Sequence, residues 1–305
     1  MKVAVLGAGA VGLCVAGMLS KVCDVYAVTR RRNADAINKD GLVMTGIWGS
    51  ETFHFPCSED LPEGVDFDYI IITSKSLATR DICEQFGDRF GDADLISLQN
   101  GIGNEEIIAG YTNRVIGAMI ITGFEWRGDG KVHVSVEAAP AKLGRFPGGT
   151  DERVENIVKL LQSSGINALT DDNVRGSLWG KTLYNSALNP LGAVMMVPYR
   201  ELLDKNAFSI ITEIIKEAFL VLKAEGINPG WDSAGSYLKY LREKQIPDTA
   251  NHHSSMYQDI SMGKKTEIDF INGAITDLGD KHGIDTPVNR TVVSLIKFRE
   301  NINNA

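Results

Sequence analysis

Cysteine is scarce in this chain, and the four present (Cys14, Cys23, Cys57 and Cys83) all lie in its first third. None belongs to a C-x-x-C pair, which argues against zinc held by thiolates. Long apolar runs are missing as well. The longest fall well short of the roughly 18 residues that a membrane helix needs, and the apolar start, about six residues ahead of a glycine turn, is too short for a signal peptide. Basic charge is in deficit: the net charge of -8 leaves no concentrated basic surface of the kind nucleic acid requires. His54, His133 and His282 are scattered, His252-His253 reads as a solvent-facing pair, and no His/Asp/Glu cluster has metal-ligand spacing, so no metal is expected. No repeat or low-complexity segment stands out. These absences point to a soluble protein of a reducing compartment, most simply the cytoplasm, with no nucleic-acid or membrane partner. A length of 305 residues with 44% hydrophobic content suggests two domains with packed cores.

What the chain does have begins at once. Val3–Leu6 reads as a strand, runs into Gly7-Ala8-Gly9-Ala10-Val11-Gly12, and continues into a helical segment, Val11 to Ser20. Glycine-x-glycine-x-x-glycine alone is a weak signal, but here it has the strand–turn–helix setting that dinucleotide binding requires. Gly7 allows a tight turn, Gly9 carries no side chain to block a pyrophosphate, and Gly12 lets helix and strand approach closely. The helix start offers free N–H groups to the phosphates.

Strand and helix signals alternate through the first half. Val25–Val28, Tyr69–Thr73 and Leu95–Leu98 read as strands, and the continuous apolar runs suit a parallel sheet buried on both faces. Val115–Ile121, Lys131–Val136, Ala141–Gly144 and Asn167–Leu169 are further strands, with Gly123–Gly130 read as a loop. Glu152–Ser163 reads as a helix that stops at Gly165. From Val174 onward strand signals vanish, and helices are expected at Ile210–Glu225, Trp231–Glu243 and Ile268–His282. The expected architecture is an α/β Rossmann-type domain over residues 1–172 followed by an all-α domain over 173–305. Two unlike domains leave a cleft between them, a common place for a ligand and here the expected active site.

An NAD enzyme usually offers an acid to the adenine ribose about 20 residues beyond the glycines. This chain instead offers Thr29-Arg30-Arg31-Arg32-Asn33. Arginine can grip the 2′-phosphate of NADP, which an acid would repel, so NADPH is the expected cofactor, with Arg30 as the main contact and Arg31 or Arg32 as helpers.

Three segments carry chemistry. Lys181, Asn185 and Asn189 stand four residues apart, so on a helix they drift only about 40° per step along one face. One ammonium and two amides suit an oxygen-rich small molecule, although a solvated helix face could show the same residues. Ser254-Ser255-Met256 and Thr266-Glu267-Ile268-Asp269 follow near the C-terminus, where Thr266 and Asp269 could form a variant capping box. Gln99-Asn100-Gly101 and Ser74-Lys75 follow strands on the edge where α/β sheets bind ligands.

Together these blocks resemble the ketopantoate reductase family (2-dehydropantoate 2-reductases) across the whole chain. The resemblance implies NADPH-dependent reduction of 2-dehydropantoate to (R)-pantoate in pantothenate and coenzyme A synthesis. It makes Lys181 the general acid and Glu267 its partner, with Asn185, Asn189 and Ser255 binding substrate. Asn100 would bridge substrate and cofactor, Arg30 and Lys75 would line the cofactor edge, and a homodimer is compatible with it. Ser76–Thr79 and Gly123–Gly130 depart from the family pattern. A relative reducing another branched 2-keto or 2-imino acid is therefore the alternative, and a non-catalytic NADP-binding protein is the reading from another class.

Overall fold

The computed structural model describes residues 1–303, and their contacts divide the chain into two units. The first comprises Met1–Gln99 and Asn104–Arg175; the second takes Asn100–Gly103 and the chain from Gly176 onward. The sequence places the change of character near Asp172, and the division by contacts falls at Arg175.

The first unit begins β1 (Lys2–Leu6), α1 (Ala10–Leu19), β2 (Asp24–Val28), α2 (Arg31–Asp40), β3 (Leu42–Gly46), β4 (Glu51–Phe53), β5 (Cys57–Ser58) and β6 (Tyr69–Ile72). It continues through α3 (Thr79–Phe86), β7 (Asp94–Ser97), α4 (Asn104–Ala109), β8 (Val115–Gly128), β9 (Lys131–Arg145), α5 (Glu152–Ser164) and β10 (Ala168–Thr170). All join one sheet in the order β4-β3-β9-β8-β7-β6-β1-β2-β5, with β10 on β9. The β3–β4 and β8–β9 pairs are antiparallel and the others parallel.

Period-two alternation builds a core on each face of this sheet. Val3, Val5, Tyr69 and Ile71 pack with α1 and α5 on one side, while Ala4, Leu6, Ile70 and Ile72 pack with α3 on the other. Helix α1 is apolar nearly all round, which matches its burial from Gly12 to Leu19. Asp151 caps α5 by accepting from the Val154 N–H, and Gly165 ends it at a left-handed φ of 98°.

Several expectations need correction. Gly123–Gly130 is no loop: all but its last two residues belong to β8, and Lys131–Val136 and Ala141–Gly144 are parts of the single strand β9. Their polar, glycine-containing stretch disguised a long hairpin whose pairing supplies the order that local pattern lacks. The arginine turn is also the start of α2, and β3 to β5 have no counterpart in the sequence reading.

The second unit is helical: α6 (Val174–Met195), α7 (Lys205–Ala224), α8 (Ala234–Tyr240), α9 (Ile246–Asp248), α10 (Ser255–Ser261), α11 (Asn272–His282) and α12 (Pro287–Asn303). Ala193, Met256, Ile260, Ile268, Ile271 and Ile296 form one of its apolar clusters. The helix expected at Trp231–Glu243 starts three residues later, at Ala234 after the Ser233 cap, and passes into a wider π turn at Leu241. The helix expected at Ile268–His282 is broken. A 3₁₀ turn, Ile268–Phe270, is separated from α11 by Ile271, which leaves helical geometry. No described helix is long and apolar enough to cross a membrane.

Candidate active site

In the first unit the chain leaves β1 toward β2 on one side and later returns to β6 on the other. The glycine turn therefore sits at a reversal of strand order, where α/β sheets bind ligands. Each glycine has its own physical reason. Gly7 adopts a φ of +68°, and a Cβ there would lie 2.4 Å from Ser74 Cβ. A Cβ on Gly12 would lie 2.2 Å from Thr73 Oγ1, so this glycine sets the approach of α1 to the strands. A Cβ on Gly9 would meet no protein atom within 4 Å. Gly9 opens α1 without a side-chain cap, and no acid stands in the first turn. Ala10, Val11 and Gly12 thus present N–H groups for which the helix has no acceptor, an arrangement that fits a pyrophosphate.

Thr29 ties the turn to the end of β2 by donating to the Ala8 carbonyl at 2.7 Å. Arg30 follows, exposed and with no acidic partner among the described residues. Its two neighbours are engaged: Arg32 pairs with Asp129 at 2.8 Å, and Arg31 lies 4.0 Å from Asp35.

Lys75 is exposed on the segment after β6. Gln99 holds that segment, its Nε2 donating to the Ser74 carbonyl at 3.0 Å and to Thr79 Oγ1 at 2.8 Å. Thr79 donates to Asn104 Oδ1 at 2.8 Å, and Asn104 Nδ2 donates to Ser76 Oγ at 3.1 Å. The departure at Ser76–Thr79 is thus a buried hydroxyl–amide network. Its members are spread over three segments, so sequence spacing gave no sign of it.

In the second unit α6 carries Lys181, Asn185 and Asn189 at successive i+4 positions. Burial pushes the Lys181 ammonium down to about 8, while the Glu267 carboxylate pulls the other way. Glu267 Oε2 also accepts from Asn100 Nδ2 at 3.2 Å. Asn100 is placed there by the next two residues. The Ile102 N–H donates to the Phe270 carbonyl at 2.7 Å, and Gly101 (φ +83°) passes so close that a Cβ would lie 2.5 Å from that carbonyl oxygen. Asn185 is buried. Asn189 is buried too and accepts from the Tyr199 hydroxyl at 2.7 Å.

Ser255 is exposed and is the first residue of α10. Its neighbour Ser254 caps that helix, accepting from the Tyr257 N–H at 3.0 Å, and donates to the Asn189 carbonyl at 3.1 Å. One buried hydroxyl therefore joins the start of α10 to the amide face of α6.

The expected capping box at Thr266 does not form. Thr266 Oγ1 donates to Glu300 Oε1 at 2.6 Å and accepts from the Ile268 N–H, while Asp269 pairs with Lys297 at 2.6 Å. Glu267 precedes the Ile268–Phe270 turn without a side-chain capping bond, and its carboxylate interacts with Asn100 and Lys181.

Sequence reasoning also missed Asn272. Pro190 stands inside α6 and brings no N–H, which deprives the Ser186 carbonyl of its helical donor. Asn272 Nδ2 supplies a donor at 3.2 Å, and is itself steadied by Asn289 Oδ1 at 3.0 Å. A proline within a helical pattern was the available signal: it announces a carbonyl that needs a partner from elsewhere.

The chain is similar to known proteins along nearly its whole length. The family model Ketopantoate reductase PanE/ApbA matches residues 3–148, and its C-terminal counterpart matches residues 173–300. The chain is 34% identical to a 2-dehydropantoate 2-reductase of Pyrococcus horikoshii, over 99% of this chain and 98% of the relative. It is also 34% identical to one of Aquifex aeolicus with the same coverage. Among solved structures, a PanE/ApbA family ketopantoate reductase from Ralstonia eutropha is similar at a TM-score of 0.90 and 28% identity, covering 100% of both chains. A D-mandelate dehydrogenase, solved with NADH and anilino(oxo)acetate, reaches 0.91 at 26% identity, again over 100% of both. On these residues and these likenesses, the chain belongs to the ketopantoate reductase PanE/ApbA family.

Proposed function

We propose that this oxidoreductase reduces 2-dehydropantoate to pantoate with NADPH, the step that supplies pantoate for pantothenate synthesis. The observation that carries the reading is the α6 face. Its lysine, with a pKa brought to about 8 by burial, stands at i+4 spacing with two buried carboxamides, Asn185 and Asn189. Reducing a ketone builds an alkoxide, which needs a proton and a positive neighbour. Bound NADPH supplies the hydride. Lys181 Nζ gives its proton to the new oxygen, and Glu267 orients the ammonium and favours its charged form. Asn185 and Asn189 bind oxygens of the acceptor, Ser255 helps bind its carboxylate, and Asn100 bridges acceptor and cofactor. Residues 1–172 serve as the NADP-binding domain and residues 173–305 as the substrate-binding and catalytic domain. Gly7–Gly12 hold the pyrophosphate in the first of these, and Arg30 with Lys75 hold the cofactor's outer phosphate edge.

The test is to mix the protein with NADPH and 2-dehydropantoate and follow loss of nicotinamide absorbance. Turnover of 2-dehydropantoate above all other 2-keto acids is the expected outcome. The likeness to D-mandelate dehydrogenase favours one second reading, an aryl-substituted 2-keto acid as substrate, so phenylglyoxylate belongs in the panel alongside NADH. Preferred turnover of phenylglyoxylate with NADH would replace the first reading by the second. The cytoplasm is the proposed compartment, supported by four free thiols and the acidic charge, and no nucleic-acid partner is proposed. A homodimer is proposed as the assembly, for which light scattering of the eluting protein is the measurement.

A further inference from the structure

The Tyr199 hydroxyl lies 2.7 Å from Asn189 Oδ1, and Tyr199 is only 1% exposed. Its ring is fixed edge-on against Tyr184 with centroids 5.8 Å apart, and it leans on His252 at 5.3 Å. Its backbone N–H donates to the His252 carbonyl at 3.1 Å. Among the described residues the Asn189 carboxamide is the one hydrogen-bond partner of this hydroxyl. A carboxamide has one acceptor oxygen and a nitrogen that only donates. Were the nitrogen turned to Tyr199, the phenolic proton would be buried with no acceptor, which is costly. The oxygen therefore faces Tyr199. Burial holds the phenol far above its usual ionisation range, so it stays a donor at every working pH.

The other end of the carboxamide is then determined. With Oδ1 turned to Tyr199, the Nδ2 end of Asn189, which carries two N–H donors, points away from the phenol. Ser254 holds the same residue by its backbone carbonyl at 3.1 Å, so neither end of Asn189 is loose.

We propose that Tyr199 is a positioning residue that fixes the orientation of the Asn189 carboxamide, so that its Nδ2 end, turned away from Tyr199, meets an acceptor oxygen of the substrate, a keto or carboxylate oxygen. The inference rests on the 2-keto acid reading above and adds to it the residue that sets the polarity of one substrate contact. Tyr199 itself touches no reacting atom.

A double-mutant cycle tests it, with Tyr199→Phe, Asn189→Ala and the pair assayed on whichever 2-keto acid the wild-type protein reduces best. Tyr199→Phe keeps the ring and should raise KM for the keto acid about tenfold, the worth of one orienting hydrogen bond, with KM for NADPH unchanged. In the Asn189→Ala background the same change should add nothing, because Tyr199 acts through the carboxamide. Losses that multiply in the double variant, or an unaltered KM in Tyr199→Phe, overturn the inference while leaving an active reductase. A wild-type protein that reduces no 2-keto acid overturns the functional reading and this inference with it. Should Tyr199→Phe fail to fold, Asn189→Asp decides. With Tyr199 intact it turns an acceptor toward the substrate, and KM should rise about a hundredfold; near-normal KM there overturns the proposal.

Discussion

Asn272 Nδ2 donates to the Ser186 carbonyl, the group in α6 that Pro190 leaves without its helical donor. The bond joins the first residue of α11 to the helix that carries Lys181, Asn185 and Asn189. Pro190 directly follows the last of these three residues, and the carbonyl it orphans, that of Ser186, lies between Asn185 and Asn189 along the helix. Asn272→Ala removes that donor and leaves a buried carbonyl unpaired. The expected cost is about 1–3 kcal/mol in chemical denaturation of the second unit, together with a lowered kcat/KM for the keto acid. Unchanged stability would show that Ser186 finds another donor.

Lys181→Ala should lower kcat by about a hundredfold or more while leaving NADPH binding in place. Steady-state kinetics beside a cofactor titration measure both. Retained kcat would remove Lys181 from the proton-donating role.

The pH dependence follows from the same lysine. A proton donor must be charged, so kcat should fall as pH rises through about 8, the value to which burial brings Lys181. Glu267 raises that pKa by favouring the ammonium. Glu267→Gln therefore moves the falling limb to lower pH, so that at neutral pH less of the lysine is charged. A limb that stays where it is, or moves upward, contradicts the pairing.

Gly9 and Gly12 should separate by experiment. Gly9 has an ordinary backbone (φ −88°) and free space around it, so Gly9→Ala should fold as the parent does and lose NADPH affinity by about tenfold or more. Gly12→Ala drives a methyl into Thr73 and should cost about 1–3 kcal/mol of stability as overpacking does. Thermal melts with and without NADPH distinguish the two. Equal melts would mean that the glycines share one purely structural role.

Arg30→Ala should weaken NADPH about tenfold and NADH hardly at all, because a charge-assisted contact to the 2′-phosphate exists only for the former. Arg32→Ala should do neither, since Arg32 is already paired with Asp129. Parallel cofactor titrations read both, and equal weakening of NADH and NADPH would make Arg30 part of a solvated turn.

Much of the sheet was legible because buried parallel strands are apolar on both faces: Tyr69–Ile72 and Leu95–Ser97 need no neighbour to be recognised. The glycine turn and the i+4 row on α6 were legible for the same reason, since both follow from local geometry. The β8–β9 hairpin was not, because Thr122–Gly128 is held by pairing across the hairpin rather than by its own pattern. The capping box at Thr266 was misread because Lys297 and Glu300, remote in sequence, claim its members.

The sequence by itself determined which residue types stand at which helical and strand positions: Gly7, Gly9 and Gly12 at a strand end, arginines beyond the second strand, and Lys181, Asn185 and Asn189 on one face. Those follow from the backbone's own periods. Only the tertiary structure decided which way each group points and how it is charged. Tyr199 turns Asn189, Asn272 answers Pro190, Asp129 withdraws Arg32, and burial lowers Lys181. Hydrogen bonding and desolvation depend on neighbours distant along the chain, and local sequence carries no record of them.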